Sequence, residues 1–216
     1  MNVFYTGALI YVIVSFLEWY IHRYLMHETT NPIINQINYI FKWVYFKIHG
    51  YKQTESHVNH HKIVKNDGVV DEEDDGMLYS AAHIPVTTIV GFAIYYCITN
   101  LIGYRHTAKE YMIVLGLFGG VSYGYYLLWN ILHPAYHEHG DPWFRTRLQG
   151  NGLYKFLRKY HMIHHMNKGD DKCNFNIILP GFDHLMGTFR WSIDNTEFCK
   201  KTLSKTAKEK ELCRNT

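Results

Sequence analysis

The chain has 216 residues, enough for one domain with a sizeable core. Its 22 basic and 19 acidic side chains leave a formal charge of +3, which makes no electrostatic case for a nucleic-acid partner. Mean hydropathy is −0.21, an average of very apolar and very polar stretches, and Cys97, Cys173, Cys199 and Cys213 form no C-x-x-C pair that would argue for an oxidising compartment or a cysteine zinc site.

The first apolar stretch, VFYTGALIYVIVSFLEWYI from Val3 to Ile21, approaches the ~20 residues needed to cross a bilayer. It lacks a basic leader and a small-residue cleavage site, so it is expected to be retained as a span. Glu18 lies inside it, four residues before His22 on the same helical face. An acid at that depth is costly unless used, which marks Glu18 as the acid expected to orient a ligand imidazole through its far nitrogen. His22 and His27 follow in HRYLMH. The next stretch, IINQINYIFKWVYFKI from Ile33 to Ile48, mixes aromatics with Asn, Gln and two lysines. It reads as a helix lying in the membrane interface.

HVNHH then supplies His57, His60 and His61, and HMIHH later repeats the pattern with His161, His164 and His165. With 15 histidines in the chain, one accidental H-x-x-H-H is expected only roughly 0.07 times. Helical offsets of three and four fall about 60° to one side and 40° to the other of the first residue, so each triplet is expected to form a three-nitrogen claw on one face. Neutral imidazole is the commonest biological metal ligand.

Between the triplets come a solvated acidic run, DEEDD at 71–75, and two further apolar stretches. These are IPVTTIVGFAIYYCITNLIG, from Ile84 to Gly103, and YMIVLGLFGGVSYGYYLLWNIL, from Tyr111 to Leu132, both read as spans. The latter carries Gly116, Gly120 and Gly124, a small-residue stripe expected to pack against another span. HPAYH follows with His133 and His137. The lysine-dotted segment from 200 to 216 is expected to be a basic tail beyond a membrane domain of residues 1–199; its closing CRNT lacks the aliphatic pair of a prenylation signal.

Three crossings put residues 23–80 and 133–216 on one side with 20 of the 22 basic residues, so that side is expected to be cytoplasmic. All four histidine groups fall on it. His49, His83, His106, His139 and His184 lack partners at ligand spacing and are expected in ordinary surface or interfacial places, with His139 and His184 close enough in sequence to adjoin the site. Glu28, Glu138, Asp141 and Asp183 are weaker candidates than Glu18 for supporting a ligand. Ten nitrogens divide naturally between two ions with about five each. An all-nitrogen set suits iron or zinc, and of these only iron changes oxidation state to use dioxygen.

The combined pattern, HRYLMH, HVNHH, HPAYH and HMIHH with the closing run NFNIILPGFDHLMGT, resembles the fatty acid hydroxylase and sterol desaturase superfamily, and within it the fatty-acid 2-hydroxylase branch. The intervals from His27 to His57 and from His137 to His161 are longer than in that branch, so the resemblance carries the superfamily further than the branch. It implies an all-α, multi-pass membrane bundle of three or four spans whose cytosolic helical cap holds two iron ions on His22, His27, His57, His60, His61, His133, His137, His161, His164 and His165, with zinc able to stand in without turnover. It further implies a lipid hydroxylase of the endoplasmic reticulum that receives electrons from a separate b-type cytochrome and its reductase. Desaturation or sterol methyl oxidation at the same centre, and a non-catalytic metal-binding membrane protein, are the alternatives.

Overall fold

The computed structural model describes residues 2–27, 31–49, 53–64, 69–70, 77–139, 141–167 and 173–192. Among these residues the regular structure is entirely helical: α1 (Val3–Tyr20), a π-helical segment (Ile21–Met26), α2 (Pro32–His49), α3 (Gln53–Ile63), α4 (His83–Leu101), α5 (Ala108–Tyr136), α6 (Pro142–Leu148), α7 (Gly152–Met166) and α8 (Phe182–Leu185). Glu28, the acidic run at 71–75 and the tail from 200 lie outside the described residues.

Three helical stretches are long and apolar enough to cross a membrane: Val3–Met26, His83–Leu101 and Ala108–Tyr136. They match the three expected spans, with two extensions that matter for the site. α1 continues into the π-helical segment that holds His22. α5 has 29 residues, about 43 Å at 1.5 Å per residue against a hydrocarbon core of about 30 Å. The surplus length carries its last turn, with His133, beyond an apolar layer of that thickness.

α4 runs along α5 and also packs on α1. The inward face of α5 is Val114, Phe118, Ser122, Tyr125 and Trp129, the repeat of three and four that keeps one helical face against its neighbours. Its glycine stripe falls elsewhere. Gly116, Gly120 and Gly124 stand two residues from that inward row, about 200° around the helix, and a Cβ added at any of them would meet nothing within 4 Å. The expectation that the stripe packs against another span of this chain is therefore corrected. Close helix approach occurs at Gly91 of α4, where a Cβ would stand 2.8 Å from the fully buried Phe118 ring.

The two ends of the bundle are pinned differently. At one end, the Thr107 hydroxyl accepts from the Glu110 amide while the Glu110 carboxylate accepts from the Thr107 amide, a capping box that starts α5. His106, expected at a surface or interfacial place, is partly buried there with its side chain covered; its Nε2 lies 2.8 Å from the Tyr95 hydroxyl and its ring is 4.8 Å from that of Tyr104. At the other end, Asn38 of α2 is buried; it donates to the Tyr24 carbonyl and accepts from the Tyr20 hydroxyl. Ile33, Ile37, Tyr39 and Trp43 on the same helix stay exposed, as an interfacial helix requires.

Gly91→Ala should lower stability by about 1–3 kcal/mol, because the buried Phe118 ring has no room to yield. Gly116→Ala should be neutral or slightly stabilising, since it adds helix propensity without a clash. Thermal unfolding of both variants in one detergent checks the contrast.

Candidate metal centre

The ten histidines nominated by the boxes converge at the shared end of α1 and α5. They form two sets: His22, His27, His57, His61 and His164, and His60, His133, His137, His161 and His165. Within each set the five donor atoms lie within 4.8 Å of one another. Nine of the ten side chains are buried and His61 is partly buried.

Each pair or triplet reaches its place through a particular backbone. In an α-helix, residues five apart differ by about 140° in direction, so His22 and His27 would diverge. The π-helical segment from Ile21 to Met26 removes that offset, because i to i+5 bonding brings the two positions to one side. Their rings stack at 5.1 Å with 25° between planes. His133 and His137 need no such device, being one α-helical turn apart at the end of α5.

The two H-x-x-H-H triplets do not act as claws on a single ion. On α3, His57 and His61 join the first set while His60 joins the second; on α7, His161 and His165 join the second set while His164 joins the first. Helix geometry supplies the reason. Positions i and i+4 lie about 40° apart and pair, whereas i+3 lies on the far side of i and turns to the neighbouring set. The two sets are thus exchanged copies of one plan: two histidines from the end of a long apolar helix, an i, i+4 pair from one short helix and the i+3 histidine from the other. They share a wall, with the His61 and His165 rings stacked at 4.1 Å.

Nitrogen spacing tests whether these sets suit a metal ion. In the first, Nε2 of His22 and His57 are 3.0 Å apart, His57 and His61 3.2 Å, His61 and His164 3.1 Å, and His27 and His164 3.1 Å. In the second, His60 and His137 are 3.2 Å apart, His137 and His161 2.9 Å, and His161 and His165 2.9 Å. For a metal–nitrogen bond of about 2.1 Å, ligands at a right angle are about 3.0 Å apart and tetrahedral ligands about 3.4 Å. The seven observed spacings, 2.9–3.2 Å, are those of neighbouring nitrogens around one ion, so each set could hold a metal ion.

Three of the far nitrogens are fixed by backbone carbonyls. His22 Nδ1 donates to Phe175 O at 2.7 Å, His164 Nδ1 to Cys173 O at 2.6 Å and His133 Nδ1 to Met77 O at 2.7 Å. Each bond sets the tautomer that leaves the Nε2 lone pair facing inward. Burial above all, then the crowding of other imidazoles, holds His60, His61, His161 and His165 well below the ordinary histidine range. They are therefore neutral and ready to ligate at neutral pH.

Glu18 does not touch a ligand imidazole. Its two oxygens accept from the amides of Ile177, Ile178 and Leu179, from the Asn176 side chain and from the Tyr125 hydroxyl, at 2.7–3.2 Å. The expected direct partnership with His22 is corrected: that imidazole bonds to Phe175, and Glu18 instead anchors the strap that presents the Phe175 carbonyl. Among the weaker acids, Glu138 pairs with Arg158 at 3.4 Å and Asp141 caps α6. Asp183 is buried and accepts from the amides of Phe175 and Asn176 in the same strap. Backbone carbonyls as supports carry no residue-type signal, which is why spacing alone could not nominate Cys173, Phe175 or Met77.

His83, His106, His139 and His184 stay outside both sets, and the side chain of His49 lies outside the described residues. His83 stacks on Tyr79 at 4.1 Å, His184 is exposed and stacks on Phe189 at 3.8 Å, and His139 is partly buried. No family model, curated protein or solved structure matches this chain.

Metal-free protein should lose stability as pH falls below about 6.5. Unfolded imidazoles bind protons there while the buried ones resist them, so each such histidine removes about 1.4 kcal/mol per pH unit down to its own depressed value. Denaturant unfolding of chelator-treated protein between pH 8 and pH 5, set against metal-loaded protein, checks the sign. A flat profile would mean the cluster is solvated.

Proposed function

We propose that the chain is a membrane-bound non-haem di-iron monooxygenase that hydroxylates a lipid, a fatty acyl chain or sphingolipid, using dioxygen and external electrons. The observation that carries this reading is the pair of five-nitrogen sets, each with its donor atoms within 4.8 Å of one another, at the end of helices apolar enough to cross a membrane. The resemblance of the four boxes to the fatty acid hydroxylase and sterol desaturase superfamily selects iron over other ions that an all-imidazole set accepts.

Two bound irons supply oxidation of an unactivated C–H bond: dioxygen, two electrons and two protons convert the C–H to C–OH and release water. The chain supplies position. His22, His27, His57, His61 and His164 would hold one ion and His60, His133, His137, His161 and His165 the other, with the carbonyls of Phe175, Cys173 and Met77 keeping three of those rings in the ligating tautomer. Burial of the histidines keeps water from competing with an apolar substrate. Met112, Ile113, Leu117, Leu127, Leu128 and Ile131 face outward along α5, a surface suited to acyl chains, so a lipid would reach the site without entering water.

The positive-inside count supports a cytoplasm-facing helical cap in the endoplasmic reticulum membrane. There a b-type cytochrome and its reductase would deliver electrons.

The test is lipid mass spectrometry of membranes expressing the chain under labelled dioxygen. Lipids gaining one labelled oxygen atom are expected. His161→Ala should reduce the label to background and bound iron from roughly two to roughly one per chain, because an ion held by four of five designed ligands loses much of its affinity. Loss of hydrogen pairs without added oxygen would reassign the chemistry to desaturation. An iron-loaded wild type that consumes no oxygen with reductant would make this a non-catalytic metal-binding protein.

A further inference from the structure

The two histidine sets are copies in plan but differ in what stands behind them. Behind the first set runs the strap from Cys173 to Leu179. Five successive amides of this strap, Phe175 to Leu179, donate to just two carboxylates: Phe175 and Asn176 to Asp183, and Ile177, Ile178 and Leu179 to Glu18. Asp183 is fully buried and also accepts from the Tyr160 and Thr188 hydroxyls, both at 2.5 Å.

One peptide group in the strap has both of its ends engaged in a line. Its carbonyl, Phe175 O, accepts from His22 Nδ1 at 2.7 Å, and its amide, Asn176 N, donates to Asp183 Oδ2 at 2.6 Å. An amide that donates to a carboxylate is polarised so that its own carbonyl becomes a stronger acceptor. A stronger acceptor at Nδ1 makes Nε2 of the same imidazole a better donor to a metal. The second set has a different arrangement. His133 Nδ1 meets Met77 O at 2.7 Å, and that carbonyl also takes the Trp129 indole N–H at 3.1 Å. Its acceptor strength is divided between two donors.

We infer that Asp183 is a positioning residue for His22, acting through the Phe175–Asn176 peptide, and that it makes the centre of His22, His27, His57, His61 and His164 the tighter of two inequivalent metal positions. The inference rests on the two-ion reading above and goes beyond it, since nothing in the box pattern distinguishes the two sets. Asp183 serves as the carboxylate partner of a ligand histidine with one amide interposed, which spares the fold from placing a bare acid against the cage. The direct acid partner expected of Glu18 is thereby replaced by an indirect one from α8.

The test uses full-length protein in detergent and cobalt(II) as the probe, read by its visible absorption. Wild type should bind two equivalents. In the His133→Ala/His137→Ala protein, which keeps the first centre, Asp183→Asn should weaken cobalt about tenfold or more, the range for residues that support a ligand histidine. In the His22→Ala/His27→Ala protein, which keeps the second centre, the same substitution should change affinity less than twofold. Equal losses in both backgrounds, or none in the first, overturn the inference. A wild type that takes up no cobalt removes the two-ion reading itself, an outcome distinct from these.

A second measurement needs no change at Asp183, whose replacement could impair folding. In zinc-loaded, nitrogen-15-labelled wild type, the His22 Nδ1–H proton should resonate downfield of that of His133, each assigned by its loss in the corresponding alanine variant. Coincident resonances, or the reverse order, overturn the inference.

Discussion

Ten imidazole lone pairs aimed inward from four segments of chain repel one another, and burial strips them of the water that would satisfy them. Such a cage is stable only where cations fill it or where the surrounding structure holds each ring against release. Much of the fold's detail is accounted for by that constraint. The π-helical segment after α1, the overlong α5 and the strap behind His22 and His164 each serve to bring a ring to the cage and keep it there.

The strap shows how the cost is spread. Two buried carboxylates, Glu18 on α1 and Asp183 on α8, take every amide from Phe175 to Leu179. Among the described residues neither acid pairs with a lysine or arginine; both are satisfied by N–H and O–H donors. Were divalent ions bound in the cage as proposed, the same acids would offset part of a charge that neutral imidazoles cannot. Asn174, at φ 57°, lets the strap turn into this register while its amide side chain bonds the Tyr160 and Arg190 carbonyls. A left-handed asparagine is among the less costly ways to make such a turn.

The exchange of ligands between α3 and α7 ties the two sets together in space. Each short helix contributes to both sets, while each long apolar helix end contributes a histidine pair to one of them, so the sets share part of their backbone and differ in the rest.

Residue type and spacing alone nominated the three long apolar helices and all ten histidines, because hydrophobic length and the i, i+3, i+4 rule are local properties written along the chain. They also singled out Glu18 as too costly to be idle. Local rules could not say which ring belongs to which set, that His22 and His27 meet through a π-helical segment, or that Glu18 reaches the site only through a strap more than 150 residues later. They assigned the glycines of α5 to a contact that Gly91 makes. Those outcomes depend on which faces remain once several helices compete for the same space. The division of the donors and the choice of backbone carbonyls as their supports were decided by tertiary packing, because a carbonyl is the same group in every residue and only its position in space gives it a role.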